Sequence, residues 1–125
     1  MQLHPDTLAV TSGRPQQAGD PLNPPLVPAS TYRAGGLVYG RDGNPGWSAL
    51  EEALGALEGG SAVAFGSGLA AAAAVLDTLP SGAVVVAHAA PYFGVGAQLG
   101  ERARRGAIDL RLVDLTDVEV VRASV

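Results

Sequence analysis

The sequence contains no cysteine and no lysine. Without thiols there can be no disulfide, no thiolate nucleophile and no Cys-based metal site, and cysteine usage gives no reading of the redox compartment. All eight basic residues are arginines, and a guanidinium keeps its proton in proteins. The missing amine excludes a phosphate loop of the G-x-x-x-x-G-K-[ST] form and any Schiff-base chemistry on this chain's own residues. No run of about 18 apolar residues occurs, so no membrane span is expected. The first residues, Met1 to Asp6, form neither a basic nor an apolar signal region, and a cytoplasmic location is expected. His4 and His88 have no partners at ligand spacing, so no metal site is expected. With a net charge of −4 and basic residues scattered apart from Arg102, Arg104 and Arg105, no nucleic-acid partner is expected either; the three arginines read as a solvated helix end.

What remains is the balance of a globular chain: 125 residues, 47% hydrophobic and 16% charged, with 17 Gly and 9 Pro set aside for turns. Seven of the nine prolines fall within residues 1–47, which show no sustained period and read as an extended arm. From Ser48 the pattern changes. Ser48 and Glu51 match a capping box, Leu50, Ala53, Leu54 and Leu57 recur at helical spacing, and Gly59 and Gly60 supply the stop. Residues 48–125 are then expected to form an α/β domain. Ala62 to Phe65 reads as a short strand, Gly66, Ser67 and Gly68 as a turn, and Leu69 to Leu79 as a helix. Val84, Val85 and Val86 suggest a second strand, Gly94 to Arg105 a helix, and Leu110 to Val113 a third strand. Thr116 and Glu119 match another capping box opening a last helix. Strands alternating with helices indicate a mainly parallel sheet, here with only three strands recognisable.

Three constellations could carry chemistry. After a strand, Gly66-Ser67-Gly68 at a helix start collects unpaired backbone N–H groups and the positive end of the helix dipole, the arrangement that holds a phosphate; a plain turn capped by Ser67 is the other reading. Tyr39 and Arg41, two apart in extended backbone, would project to one side and offer a hydroxyl and a guanidinium fork to one anion, or else flank a solvated turn. Tyr92, just past the Val84 strand, falls at the carboxyl edge where ligands collect in open α/β sheets and could stack on a planar ligand, while Phe93 closes the core.

Several segments coincide in order and spacing with one family. They are Asn23-Pro24-Pro25 with Ser30-Thr31-Tyr32; Tyr39-Gly40-Arg41 with Gly43-Asn44-Pro45; Leu50-Glu51 and Ala56-Leu57-Glu58-Gly59-Gly60; Phe65-Gly66-Ser67-Gly68-Leu69-Ala70-Ala71; Tyr92 with Gly94; and Val113-Asp114. On these the chain resembles the N-terminal part of the pyridoxal-phosphate enzymes of cysteine and methionine metabolism, which include cystathionine γ-lyase, cystathionine γ-synthase, cystathionine β-lyase and methionine γ-lyase. The resemblance implies an α/β fold, an incomplete and mainly parallel sheet of the fold-type I (aspartate aminotransferase-like) large domain, preceded by the extended arm. It implies pyridoxal 5′-phosphate as cofactor, held through the backbone at Gly68 and Leu69 with Ser67 alongside. Tyr39 and Arg41 would reach the same phosphate from a neighbouring subunit, and Tyr92 would stack on the pyridine ring and take part in proton transfer. The implied partners are a small sulfur-containing amino acid and further copies of the chain, as a dimer that shares active sites and a tetramer in the full-length parent.

The sequence departs from that family in two places. Gly46-Trp47 stands where family members usually have Thr, and His88-Ala89-Ala90-Pro91 lacks the acidic residue often found before the tyrosine. The chain is also several times shorter than family members, and its lack of lysine leaves it without the residue that holds the cofactor covalently. It is therefore expected to be an inactive fragment of a lyase or transferase of the trans-sulfuration type. The alternatives are a non-catalytic phosphate- or nucleotide-binding α/β module, disfavoured by the absence of G-x-G-x-x-G, and an inactive remnant that dimerises with full-length relatives.

Overall fold

The computed structural model describes residues 3–125. It divides into two compact units, one running through Ala64 and the other spanning Phe65–Val125.

The first unit holds two helices, α1 (Pro5–Thr11) and α2 (Pro45–Glu58), packed on each other. The short α1 lies inside the stretch expected to be extended. It starts because Pro5 is preset for the first helical position and the imidazole Nδ1 of His4 accepts the Asp6 N–H at 3.3 Å. Between the helices, Tyr32 N–H donates to Val38 O (2.9 Å) and Gly40 N–H to Ser30 O (2.8 Å), around an antiparallel bridge of Thr31 with Tyr39.

The start of α2 corrects the expectation from the capping box. The helix begins four residues earlier, with Asn44 as N-cap accepting the Gly46 N–H at 2.8 Å and Pro45 in the first turn. Asn44 also donates to Val27 O (3.0 Å) and to the Tyr32 hydroxyl (3.3 Å), tying the helix start to the preceding chain. Glu51, freed from a capping role, accepts the Ala64 N–H at 2.7 Å. The stop is as expected: Gly59 takes the left-handed conformation (φ 71°), and Gly60 N–H returns to Gly55 O at 2.9 Å. That return explains the buried Gly55, since a Cβ there would sit 2.6 Å from Gly60 O.

The second unit runs α3 (Gly68–Asp77), β1 (Ala83–His88), α4 (Phe93–Arg104), β2 (Ile108–Val113) and α5 (Val118–Ala123). The two strands pair in parallel, from Ala83 opposite Ile108 to His88 opposite Val113. Such a pair needs a crossover, and α4 supplies it while packing on both β2 and α3. Leu99 of α4 and Ile108 of β2 are the buried hydrophobic side chains, 3% and 7% exposed.

Two further expectations are corrected here. Ala62 to Phe65 forms no strand, because among the described residues no neighbouring backbone pairs with it; the described sheet has two strands and not three. The last helix is capped by Asp117 and not by Thr116: its carboxylate accepts the N–H groups of Glu119 (3.0 Å) and Val120 (3.2 Å). Thr116 donates its hydroxyl (2.7 Å) and N–H (2.9 Å) to Asp114 instead, and these bonds, the hydroxyl's foremost, hold the Asp114 carboxyl below its ordinary pKa.

Candidate functional site

The Gly66-Ser67-Gly68 turn opens α3 as the sequence suggests. Ser67 is the N-cap, its Oγ accepting the Ala70 N–H at 3.1 Å while its carbonyl accepts the Ala71 N–H at 3.1 Å. These two bonds satisfy the third and fourth residues of the helix, and the N–H groups of Gly68 and Leu69 in front of them are left free for a ligand. No acidic residue stands in the first turn of α3 to compete for them. The approach is open as well, since a Cβ at Gly66 or Gly68 would meet no atom within 4 Å.

Tyr92 lies beside this turn. It is the N-cap residue of α4 and makes no side-chain capping bond, so its ring and hydroxyl carry no duty toward the helix. The link between the two is Gly94: a Cβ there would stand 3.1 Å from Leu69 Cδ1 and 3.1 Å from Tyr92 Cε1. The missing side chain lets α4 bring the tyrosine ring to the first turn of α3. Tyr92 is 75% exposed, which leaves its ring available to a planar ligand. Phe93 departs from its expected place in the core and is 86% exposed, because it falls on the outer side of the first turn of α4.

Tyr39 and Arg41 meet, but by a different geometry from the extended one expected. Asp42 N–H donates to Tyr39 O at 2.9 Å, so the backbone between the pair is a turn. The turn swings the Arg41 guanidinium over the Tyr39 ring, 4.9 Å from its centroid. Both side chains are exposed, offering an anion a phenol and a guanidinium together.

Arg102 is the residue the sequence reading misplaced. Arg104 and Arg105 are a solvated helix end, both bonded to Glu101, whose carboxyl they hold below its ordinary pKa, Arg104 most strongly. Arg102, by contrast, is only 24% exposed and pairs with Asp77 at the end of α3. Its spacing from Gly94 and Gln98, four residues at each step, was the available signal that it faces the same helix.

The residues in the second unit fit a phosphate joined to a flat ring: free N–H groups, no carboxylate, a glycine-cleared approach and an unengaged aromatic face. Comparison with known proteins identifies the family. The chain matches the Cys/Met metabolism PLP-dependent enzyme family over residues 6–125. It is 36% identical over 107 residues to a cystathionine β-lyase of Lactococcus lactis subsp. cremoris, covering 80% of this chain and 28% of that protein. A cystathionine γ-synthase of Mycobacterium tuberculosis is 34% identical over 132 residues, covering 97% of this chain and 34% of the relative. Among solved structures, the cystathionine γ-lyase of Micromonospora echinospora superposes with a TM-score of 0.83 at 36% identity, over 98% of this chain and 34% of that one. The chain thus spans about a third or less of the length of the proteins it matches. The two-stranded parallel sheet is an incomplete version of the fold-type I sheet of these enzymes. From the family match and from these relatives, the chain belongs to the PLP-dependent enzymes of cysteine and methionine metabolism.

Proposed function

We propose that this chain forms the phosphate- and ring-holding part of a PLP-dependent enzyme acting at the β- or γ-carbon of a sulfur-containing amino acid, of cystathionine γ-lyase or γ-synthase type. The observation that carries the reading is the meeting of the free N–H groups of α3 with the unengaged Tyr92 ring across Gly94. Kinship with cystathionine lyases and synthases supports the substrate class. It also favours an enzyme over a self-contained phosphate-binding module.

In this reading Gly68 and Leu69 donate their N–H groups to the cofactor phosphate. The Ser67 hydroxyl, already accepting from Ala70, has its own proton left to donate. Tyr92 lays its face on the pyridine ring, and its hydroxyl can hold or pass a proton at the substrate. Pyridoxal 5′-phosphate, when bound, supplies the electron sink for carbanion chemistry. Tyr39 and Arg41 complete the phosphate site from a second subunit, Arg41 as a charged donor whose fork the Tyr39 ring keeps in place.

The need for further protein is supported by area. Two separate folded domains of this combined size would expose roughly 7,500 Å² together, whereas the chain exposes 9073 Å². A homo-oligomer is proposed to cover part of the difference, with active sites shared across a dimer and dimers paired into a tetramer. With no lysine, the 125 residues alone are proposed to be inactive. No helix among the described residues is long and apolar enough to cross a membrane. A cytoplasmic setting belongs to the same proposal, with the family's place in amino-acid metabolism as its support.

Gly68→Ala provides the test. No protein atom lies near the added methyl, so the fold should be retained, while the methyl stands where a phosphate would approach. Titration of the assembled protein with pyridoxal 5′-phosphate and with pyridoxal should show the variant losing roughly tenfold or more of the wild-type preference for the phosphorylated form, the scale of a charged hydrogen bond. A wild-type protein that binds both compounds equally would sink the reading.

A further inference from the structure

We propose that Gln98 and Arg102 of α4 are positioning residues that set the distance between the phosphate-binding turn of α3 and the Tyr92 ring. The inference rests on the functional reading above and adds to it two residues that the reading does not use.

Gly94, Gln98 and Arg102 are four residues apart and form one stripe along α4. Each meets α3. Gly94 is closed on the Leu69 side chain, Gln98 Nε2 donates to Leu69 O at 3.4 Å, and Arg102 pairs with the Asp77 carboxylate. Leu69 and Asp77 are eight residues apart, at the first and last turns of α3, so the stripe grips that helix at both ends. The three contacts are also linked to one another. Arg102 donates to Gln98 Oε1 at 3.2 Å, which fixes the amide with its NH₂ turned toward Leu69.

The chemistry at each end of α3 explains why these residue types serve. Asp77 puts a negative charge at the negative end of the helix dipole, and the last turn has no basic residue of its own. Arg102 supplies the missing cation from α4, and its low exposure fixes the guanidinium enough to serve two acceptors at once. At the other end, the bond from Gln98 is long, and alone it would hold Leu69 weakly. Anchored by Arg102, it resists a slide of α3 along its axis. Such a slide would move the Gly68 and Leu69 N–H groups relative to Tyr92, which α4 itself carries as its N-cap. A ligand that must touch both, a phosphate with a ring attached, registers that movement. A ligand that touches only the ring does not.

Gln98→Met and Gln98→Glu separate positioning from general support. Methionine keeps the volume and removes both bonds, while glutamate keeps the acceptor for Arg102 and removes only the donor to Leu69. In the assembled protein, each is expected to lower the preference for pyridoxal 5′-phosphate over pyridoxal about three- to tenfold, with pyridoxal affinity unchanged. Should Gln98→Met fail to fold, Gln98→Glu alone decides, because its ion pair with Arg102 supports the helix. Variants that keep the wild-type preference, or that weaken both compounds by the same factor, would overturn the positioning role. Absence of any preference in the wild type would instead bring down the functional reading together with it, so the two failures are told apart by the unsubstituted protein.

Discussion

The two units of the chain hold themselves together by different means. In the second, α4 buries Leu99, β2 buries Ile108, and parallel strand pairing joins residues distant in sequence. In the first, no large hydrophobic side chain among the described residues is buried; α1 packs on α2, and the other connections are backbone returns and polar caps: Asn44 on Val27 and Tyr32, Glu51 on Ala64, Gly60 on Gly55. The lesson concerns what each unit can do alone. Apolar burial at Leu99 and Ile108 gives the second unit a small core, whereas the first relies more on caps and turns, each contributing about 1 kcal/mol. That suits an element whose side chains are proposed to act in another subunit's site.

The largest test of this contrast is truncation of the core. Leu99→Ala should destabilise the second unit by about 3 kcal/mol, as for other buried leucines. Leu54→Ala, at a position 44% exposed on α2, should cost less than about 1 kcal/mol. Hydrogen exchange followed unit by unit would measure both, and equal losses would erase the distinction.

Gly13→Ala should have the next effect. Gly13 has φ 70°, and a Cβ there would lie 2.1 Å from Ala49 O, a backbone atom that cannot turn aside. The cost is expected to stop near 2 kcal/mol, because α1 can detach from α2 and end the clash. The expected signature is loss of exchange protection in α1 with α4 and β2 unaffected. Global unfolding instead would show the first unit to be as cooperative as the second.

Acidification should act least and only locally. Glu101 and Asp114 both have carboxyl groups held below the ordinary range, by Arg104 with Arg105 and by Thr116 respectively. A lowered folded-state pKa contributes stability above the ordinary carboxylate range and loses it as pH falls through the lowered value. The end of α4 and the turn after β2 should therefore loosen in acid. Amide exchange of Arg105 and Thr116 against pH would follow it, and a rise in their protection on acidification would contradict the assignment.

Much of the second unit was legible in the sequence. Valine runs mark β1, Pro80 and Gly82 end the region of α3, and strand-helix alternation gives parallel pairing. The Gly66-Ser67-Gly68 turn was legible too, because Ser67 caps the helix locally and its capping depends on no distant residue. The misses have physical causes. Ala62 to Phe65 has the composition of a strand, but a strand exists only when a neighbour pairs with it, and composition carries no record of that neighbour. At the starts of α2 and α5 two residues competed for the cap. Asn44 prevailed over Ser48 because Pro45 presets the first turn, and Asp117 over Thr116 because Asp114 engages the threonine. Helix α1 had its signals in Pro5 and Asp6, obscured by the proline-rich stretch around them. Arg102 looked like its neighbours 104 and 105, and only its step of four from Gln98 told it apart.

The stripe formed by Gly94, Gln98 and Arg102 bears on how such a sequence can change over time. Side chains along it can be exchanged one by one, with graded losses. An inserted or deleted residue between Gly94 and Arg102 is different, because it rotates everything after it by about 100° and releases Gln98, Arg102 or both from α3 in a single event. This segment of α4 should therefore drift in its letters while keeping its length, and length would be the more faithful marker of shared descent there.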